Sequence, residues 1–251
     1  MNITRFAARD GLRLAYRETA DTGRPLILLH GFAGGSSLWT EHGIADAIAE
    51  HGIRVIMPDF RGHGDSPRPH DPAAYPPDIL ADDGLALIDH LGFNDHEYDL
   101  AGYSLGGRIV ARMLARGATP RRAIIAGQGL AKVTGPQGGG DNHRLLTALV
   151  NGTEFAPDSP EAKTAYWIKK LGADPQALLH VLASLVPTRE ADLRRITTET
   201  LVAIGQEDER ADADQLAALL PHAQYIRVPG NHGTAIATPE FSAAIAKFLA
   251  A

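Results

Sequence analysis

Gly102-Tyr103-Ser104-Leu105-Gly106-Gly107 is the stretch on which the reading of this 251-residue chain turns. Tyr98-Asp99-Leu100-Ala101 ahead of it is a short apolar run of strand character. Behind it, Leu105 to Arg116 repeats Ile109, Val110, Met113 and Leu114 at helical spacing. A strand that passes directly into a helix needs small residues where the two backbones meet, and Gly102 and Gly106 supply them. So sharp a turn strains the serine backbone and holds its hydroxyl at the carboxyl end of the strand, where ligands bind in open α/β sheets. The helix also points its first N–H groups at that spot, which favours developing negative charge. An ordinary glycine-rich turn with an incidental serine is the alternative, and the correctly placed strand and helix weigh against it.

Outward from this turn, short apolar runs alternate with amphipathic stretches. Leu12 to Arg17 alternates with period two after the turn at Asp10-Gly11, as a half-buried antiparallel strand does. Pro25 to Leu29 is apolar on both faces, the pattern of a central strand covered by helices. Similar runs stand at 54–57, 123–126, 201–204 and 225–228, with helical patterns over Ile44–Glu50 and Ile79–Leu91. This order predicts an α/β fold with a mostly parallel central sheet, right-handed crossovers and helices on both faces, over residues 1–128 and 191–251. From Gly129 to about Glu190 the strand rhythm stops. A glycine-rich loop, Gly135 to Gly140, leads into helices near 141–150, 160–171 and 175–186, punctuated by Pro157, Pro160, Pro175 and Pro187. A helical cap at 129–190, inserted in the core over the ligand end of the sheet, is expected; helices packed on the sheet edge are the alternative.

Composition narrows the chemistry. With no cysteine, disulfides, thiolate-bound metal and a cysteine nucleophile are excluded. A formal net charge of −6 with mixed signs along the chain argues against a broad nucleic-acid-binding face. No apolar segment resembles a secretory signal or approaches a membrane span, so a cytoplasmic protein acting on a small molecule, without nucleic-acid or membrane partners, is expected.

A serine hydroxyl is a weak nucleophile until a base takes its proton. Of the 11 histidines, His232 in Pro229-Gly230-Asn231-His232-Gly233-Thr234 follows the last strand, at the same sheet end as Ser104. His42, His51, His70, His90, His96, His143, His180 and His222 lack that placement. The carboxylate that would orient the imidazole is Asp208 in Gly205-Gln206-Glu207-Asp208, just past the strand at 201–204, with Glu207 as the substitute.

The order Ser104, Asp208, His232 resembles that of the α/β-hydrolase superfamily over essentially the whole chain. His30-Gly31-Phe32 resembles its oxyanion turn, and Asp59-Phe60-Arg61-Gly62-His63-Gly64-Asp65-Ser66 resembles its D-x-R-G-x-G-x-S loop. The resemblance implies an oxyanion hole made by the backbone N–H groups of Phe32 and Leu105. On this reading His30 braces the oxyanion turn, and Arg61 and His63 stabilise their loop. Metal ligation by His30 and His63 is not expected, because the spacing matches no ligand set, and no cofactor is implied. Tyr103 and Arg108 flank the serine, either packing beside the turn and carrying a helix-surface charge, or lining a substrate pocket. Tyr166 and Trp167 would place aromatic surface over the pocket under the cap reading, or anchor their helix in its own core.

The leading expectation is hydrolysis of a small carboxylic ester or lactone through an acyl-enzyme on Ser104. Serine at 104 disfavours the dehalogenase and epoxide-hydrolase branches, where the resemblance implies an aspartate. Gly102 to Arg108 is also similar to the corresponding turn of the menaquinone-pathway lyase of this superfamily, and carbon–carbon bond hydrolysis is a further alternative. A non-catalytic small-molecule receptor is the remaining one.

Overall fold

In the computed structural model, which describes residues 1–135 and 140–250, the strand Arg24–Leu29 sends Leu26 and Leu28 to one face of a sheet. Ile27 and Leu29 go to the other face. That division explains a run that is apolar throughout: both faces are covered. Each such side chain, fully buried, contributes about 1.5–3 kcal/mol of hydrophobic stabilisation.

Among the described residues the sheet comprises β1 (Thr4–Ala7), β2 (Arg13–Glu18), β3 (Arg24–Leu29), β4 (Ile53–Pro58), β5 (Asp99–Tyr103), β6 (Arg122–Ala126), β7 (Glu199–Gly205) and β8 (Ala223–Val228). They lie in the order β1-β2-β4-β3-β5-β6-β7-β8. The pairs β1/β2 and β2/β4 are antiparallel, and all later pairs are parallel. The helices are α1 (Ser37–Glu41), α2 (Ile44–Ala49), α3 (Ile79–Leu91), α4 (Leu105–Ala115), α5 (Leu130–Thr134), α6 (Asp141–Val150), α7 (Pro160–Lys170), α8 (Pro175–Ser184), α9 (Glu190–Leu193), α10 (Ala213–Leu219) and α11 (Pro239–Ala250). Helices α3, α4 and α10 cover the face of Ile27, Leu29, Ile125 and Val202. Helices α1, α2 and α11 cover the opposite face, with Trp39, Ile48, Phe241 and Leu249 against Leu26, Leu28 and Ile124.

The strand order reverses direction at β3. The chain leaves β3 toward β4 on one side and returns to β5 on the other. Such a switch point opens a crevice at the carboxyl ends of the strands. Leu29 pairs with Gly102, so the turn after β3 and the turn after β5 lie side by side in that crevice. The ends of β7 and β8 close the same edge, with Gly205 beside Val228.

Residues between β6 and β7 form α5 to α9 and no strand among those described. Leu145, Leu146, Ile168 and Leu178 of this segment make a separate apolar cluster that packs on Phe32 and Ala33. The glycine-rich loop expected over 135–140 lies, at 136–139, outside the described residues. The edge strand β1 was not expected: only Phe6 of its four residues is buried, too little for an apolar pattern to register. Among the described residues no helix is long and apolar enough to cross a membrane.

Candidate active site

Ser104 joins β5 to α4 with φ 55° and ψ −116°, a conformation a non-glycine residue holds only when its surroundings enforce it. They do so from both sides. Its backbone N–H donates to the Ala126 carbonyl on β6 (2.9 Å), and its own carbonyl accepts from the Gln128 side-chain amide. A Cβ on Gly106 would sit 2.1 Å from the Leu29 carbonyl oxygen, and one on Gly102 would sit 2.3 Å from the Gly106 backbone. Only hydrogen at these positions lets α4 pass so close to β3 and β5.

His232 lies in the loop after β8 and Asp208 in the loop after β7. The His232 Nε2 is 2.9 Å from Ser104 Oγ, and its Nδ1 is 2.8 Å from Asp208 Oδ2. A carboxylate only accepts hydrogen bonds, so Nδ1 carries the proton and Nε2 presents its lone pair to the serine hydroxyl. The three expected groups thus form one hydrogen-bonded chain. Glu207, the substitute considered for Asp208, is exposed instead.

Asp208 is fixed from behind. Its Oδ1 accepts from the Arg210 backbone N–H (3.1 Å) and from Arg210 Nη1 (3.0 Å). Burial pushes the Asp208 carboxyl up, but hydrogen bonds from His232 and Arg210 outweigh it and hold the group below its ordinary value. The His232 imidazole is held below its ordinary value too. Burial is the largest cause and the Arg210 charge adds to it, while Asp208 and Glu209 pull the other way without prevailing. Arg210 was not singled out in the sequence; a basic residue two positions past an orienting carboxylate, free to fold back on it, was the available signal.

The turn after β3 sits directly over the serine, since a Cβ on Gly31 would lie 3.5 Å from Ser104 Cβ. Among the described residues the N–H groups of Phe32, one residue past Gly31, and of Leu105, one residue past Ser104, have no protein acceptor. The buried His30 ties the turn down. Its Nδ1–H donates to the Gly31 carbonyl (2.7 Å), while Nε2 accepts from the Phe60 N–H (3.1 Å). Asp59 accepts from the Ser36 and Asp65 N–H groups, joining the same turn to the D-x-R-G loop. Arg61 is wholly buried and meets Asp83 through two hydrogen bonds of 2.7 Å and Asp10 at 2.8 Å. Deleting one partner from such a buried pair costs about 3–5 kcal/mol, so Arg61 ties this loop firmly to α3 through Asp83. His63 is buried beside it and pushed down to about 3 by desolvation, so it stays neutral at ordinary pH.

The flanking residues are placed less uniformly. Tyr103 stacks on the His232 ring, with centroids 5.4 Å apart, and its hydroxyl donates to the His232 carbonyl (2.7 Å). It therefore braces the His232 imidazole. Arg108 is buried, not on the helix surface as one reading had it. Its guanidinium donates to the carbonyls of Lys132 and Gly135, at the C-terminal end of α5, where helix carbonyls lack internal partners. Tyr166 and Trp167 are 62% and 53% exposed, so they neither bury themselves over the triad nor anchor a core. In both cases the helical pattern left open which side chains turn inward.

A cavity of about 220 Å³ adjoins the turn after β3, bounded by Phe32, Ala33, Gly34, Leu38 and Leu171. A second, of about 410 Å³, lies between α6 and α7, with Leu145, Ala148 and Phe155 at its base and Asp141, Arg144 and Glu161 at its rim. Among the described residues no group of three or more histidines, aspartates or glutamates is arranged to hold a metal ion.

A family model of the alpha/beta hydrolase fold matches residues 24–126. The chain is also 30% identical, over 217 residues, to the AB hydrolase superfamily protein YisY of Bacillus subtilis (strain 168), an alignment covering 76% of this chain and 77% of that protein. The chain belongs to the α/β-hydrolase superfamily. A second member, the 2-hydroxymuconate semialdehyde hydrolase of Pseudomonas sp. (strain CF600), is 32% identical over 213 residues, with 74% of this chain and 71% of that one covered. Among solved structures, a hydrolase from Pseudomonas aeruginosa PA01 superimposes with a TM-score of 0.79 at 23% identity, covering 100% of this chain and 99% of that chain. That likeness speaks for the hydrolase fold alone.

Proposed function

We propose that this α/β-hydrolase cleaves a small carboxylic ester or lactone through an acyl-enzyme on Ser104. The observation that carries the reading is the chain from Asp208 Oδ2 through His232 to Ser104 Oγ, with spacings of 2.8 and 2.9 Å, beside two unengaged backbone N–H groups.

The steps follow from that arrangement. His232 Nε2 takes the proton from Ser104 Oγ as the oxygen attacks the carbonyl carbon. The negative charge passes to the former carbonyl oxygen, which the Phe32 and Leu105 N–H groups stabilise by donating hydrogen bonds to it. Asp208 offsets the positive charge that His232 has gained. Collapse of the tetrahedral species breaks the carbon–oxygen bond, and His232 returns its proton to the leaving alkoxide. Water then loses a proton to His232, attacks the acyl carbon and releases the acid, restoring the Ser104 hydroxyl. The segment α5–α9 acts as a cap in this scheme, and its apolar contacts on Phe32 and Ala33 suit a short, uncharged acyl group.

Turnover of p-nitrophenyl acetate and butyrate is the expected result, together with a fluorophosphonate mass adduct on Ser104. An enzyme inert to short esters and lactones, or unlabelled, refutes the reading. The relative acting on 2-hydroxymuconate semialdehyde favours a second one, carbon–carbon bond hydrolysis by the same residues. A 2,4-dienone acid turned over faster than every ester would establish it instead.

The acid limb of kcat/KM should reveal the base. His232 must be neutral to act, and its pKa is depressed by burial and by Arg210. Activity should therefore persist to lower pH than an ordinary histidine allows, falling only below about 6.5. A pH–rate profile measures this directly, and an inflection above that value contradicts it.

A further inference from the structure

Helix α7 carries charge and aromatic surface for which the proposed chemistry has no use. Of the chain's five lysines, three stand on it: Lys163, Lys169 and Lys170. Among the described residues none of these three pairs with a carboxylate, whereas acidic partners surround most arginines. At 100° per residue, Tyr166, Lys170, Lys163, Trp167 and Leu171 fall on one arc of about 140°, with the buried Ile168 about 60° past its Leu171 edge and Lys169 about 60° past its Tyr166 edge. Tyr166, Trp167 and Leu171 are all more than half exposed, and Lys170 Nζ lies 4.5 Å from the Trp167 ring centroid. No acidic residue interrupts the arc. Glu161, the acid in the helix's first turn, faces the α6–α7 cavity.

We infer that this face of α7 docks on an anionic lipid bilayer, with Tyr166, Trp167 and Leu171 at headgroup depth, Lys163 and Lys170 on anionic headgroups and Lys169 at the edge of the contact. Trp and Tyr prefer that depth, because the ring is apolar and its polar atom stays wet. Lysine stems lie along the apolar layer while the ammonium reaches the phosphates. Protein–protein interfaces deplete lysine, which weighs against a protein partner on this arc. The rest of the molecule strengthens the choice. In a chain of net charge −6, an anionic surface repels the acidic faces and admits a cluster of exposed lysines that carry no acidic partner among the described residues.

The test uses the full chain and vesicles at low salt, one set of phosphatidylcholine and one of phosphatidylcholine mixed with phosphatidylglycerol. Trp167 reports on its own position, because the only other tryptophan, Trp39, is buried. The mixed vesicles should sediment with the protein and shift its emission to the blue, and pure phosphatidylcholine should bind it at least about tenfold more weakly. A Lys163→Glu/Lys169→Glu/Lys170→Glu variant should lose the binding by a similar factor, yet keep its turnover of a soluble ester, since these exposed residues lie outside the triad. Trp167→Ala should weaken binding while leaving its salt dependence in place. Three outcomes overturn the inference: no shift or sedimentation with mixed vesicles, binding that survives the triple charge reversal, or a concentration-dependent dimer abolished by Trp167→Ala in a protein that ignores lipid.

Discussion

Replacing Ser104 with alanine is expected to lower kcat for p-nitrophenyl butyrate by about 10⁶, with KM little changed. The substitution keeps the Cβ, so the strained turn at φ 55° meets no new clash and the loops carrying His232 and Asp208 stay put. What disappears is the one oxygen able to form the acyl-enzyme. Residual activity of about 10³ over water is the share that binding and the oxyanion N–H groups supply without it. Steady-state kinetics and intact-protein mass spectrometry after fluorophosphonate treatment check this together. Activity above a tenth of the wild type would move the chemistry away from Ser104.

Asp208→Asn should cost about 10⁴ in kcat, and here the surroundings make the sign firm. An asparagine has one acceptor and one donor end where aspartate has two acceptors. Arg210 presents two donors to the Oδ1 position, through its backbone N–H and Nη1. The amide must therefore put its oxygen toward Arg210 and its NH₂ toward His232 Nδ1. A donor at Nδ1 drives the imidazole proton onto Nε2, where it faces Ser104 and no lone pair is left to accept the hydroxyl proton. Adding Arg210→Met to the same chain removes the Nη1 donor and leaves the backbone N–H as the one remaining donor at Oδ1, so the amide is held less firmly and the double variant should recover a small part of the loss. Comparing kcat of the single and double variants tests it; equal rates would show that the Arg210 guanidinium does not set the orientation.

The two results depend on contacts that differ in how they can be read. The turn around Ser104 is local: Gly102 and Gly106 lie two residues either side, and the adjoining strand and helix follow from apolar periods of two and 3.6. Its place in the fold was legible for the same reason, because β3 to β6 are apolar on both faces and a strand so buried must lie mid-sheet. Of the five described helices between β6 and β7, α6, α7 and α8 matched the expected ranges closely, since prolines mark the starts of α7 and α8 at Pro160 and Pro175 and the segment has no strand-like run. The short α5 and α9 were not expected. Strand β1 and helix α1 were not legible: each is short and shows a single buried apolar side chain, Phe6 and Trp39.

By itself, the sequence determined the α/β layering, the strained serine turn and the order of the three loops that hold Ser104, Asp208 and His232, because each depends on residues within a few positions of one another. Only the tertiary structure decided that Arg210 clamps Asp208, that Arg108 turns inward to cap α5, and that Tyr166 and Trp167 turn outward. Those outcomes depend on which face of a helix or loop finds a partner across the fold, and helical or strand periodicity names the faces without saying what they meet.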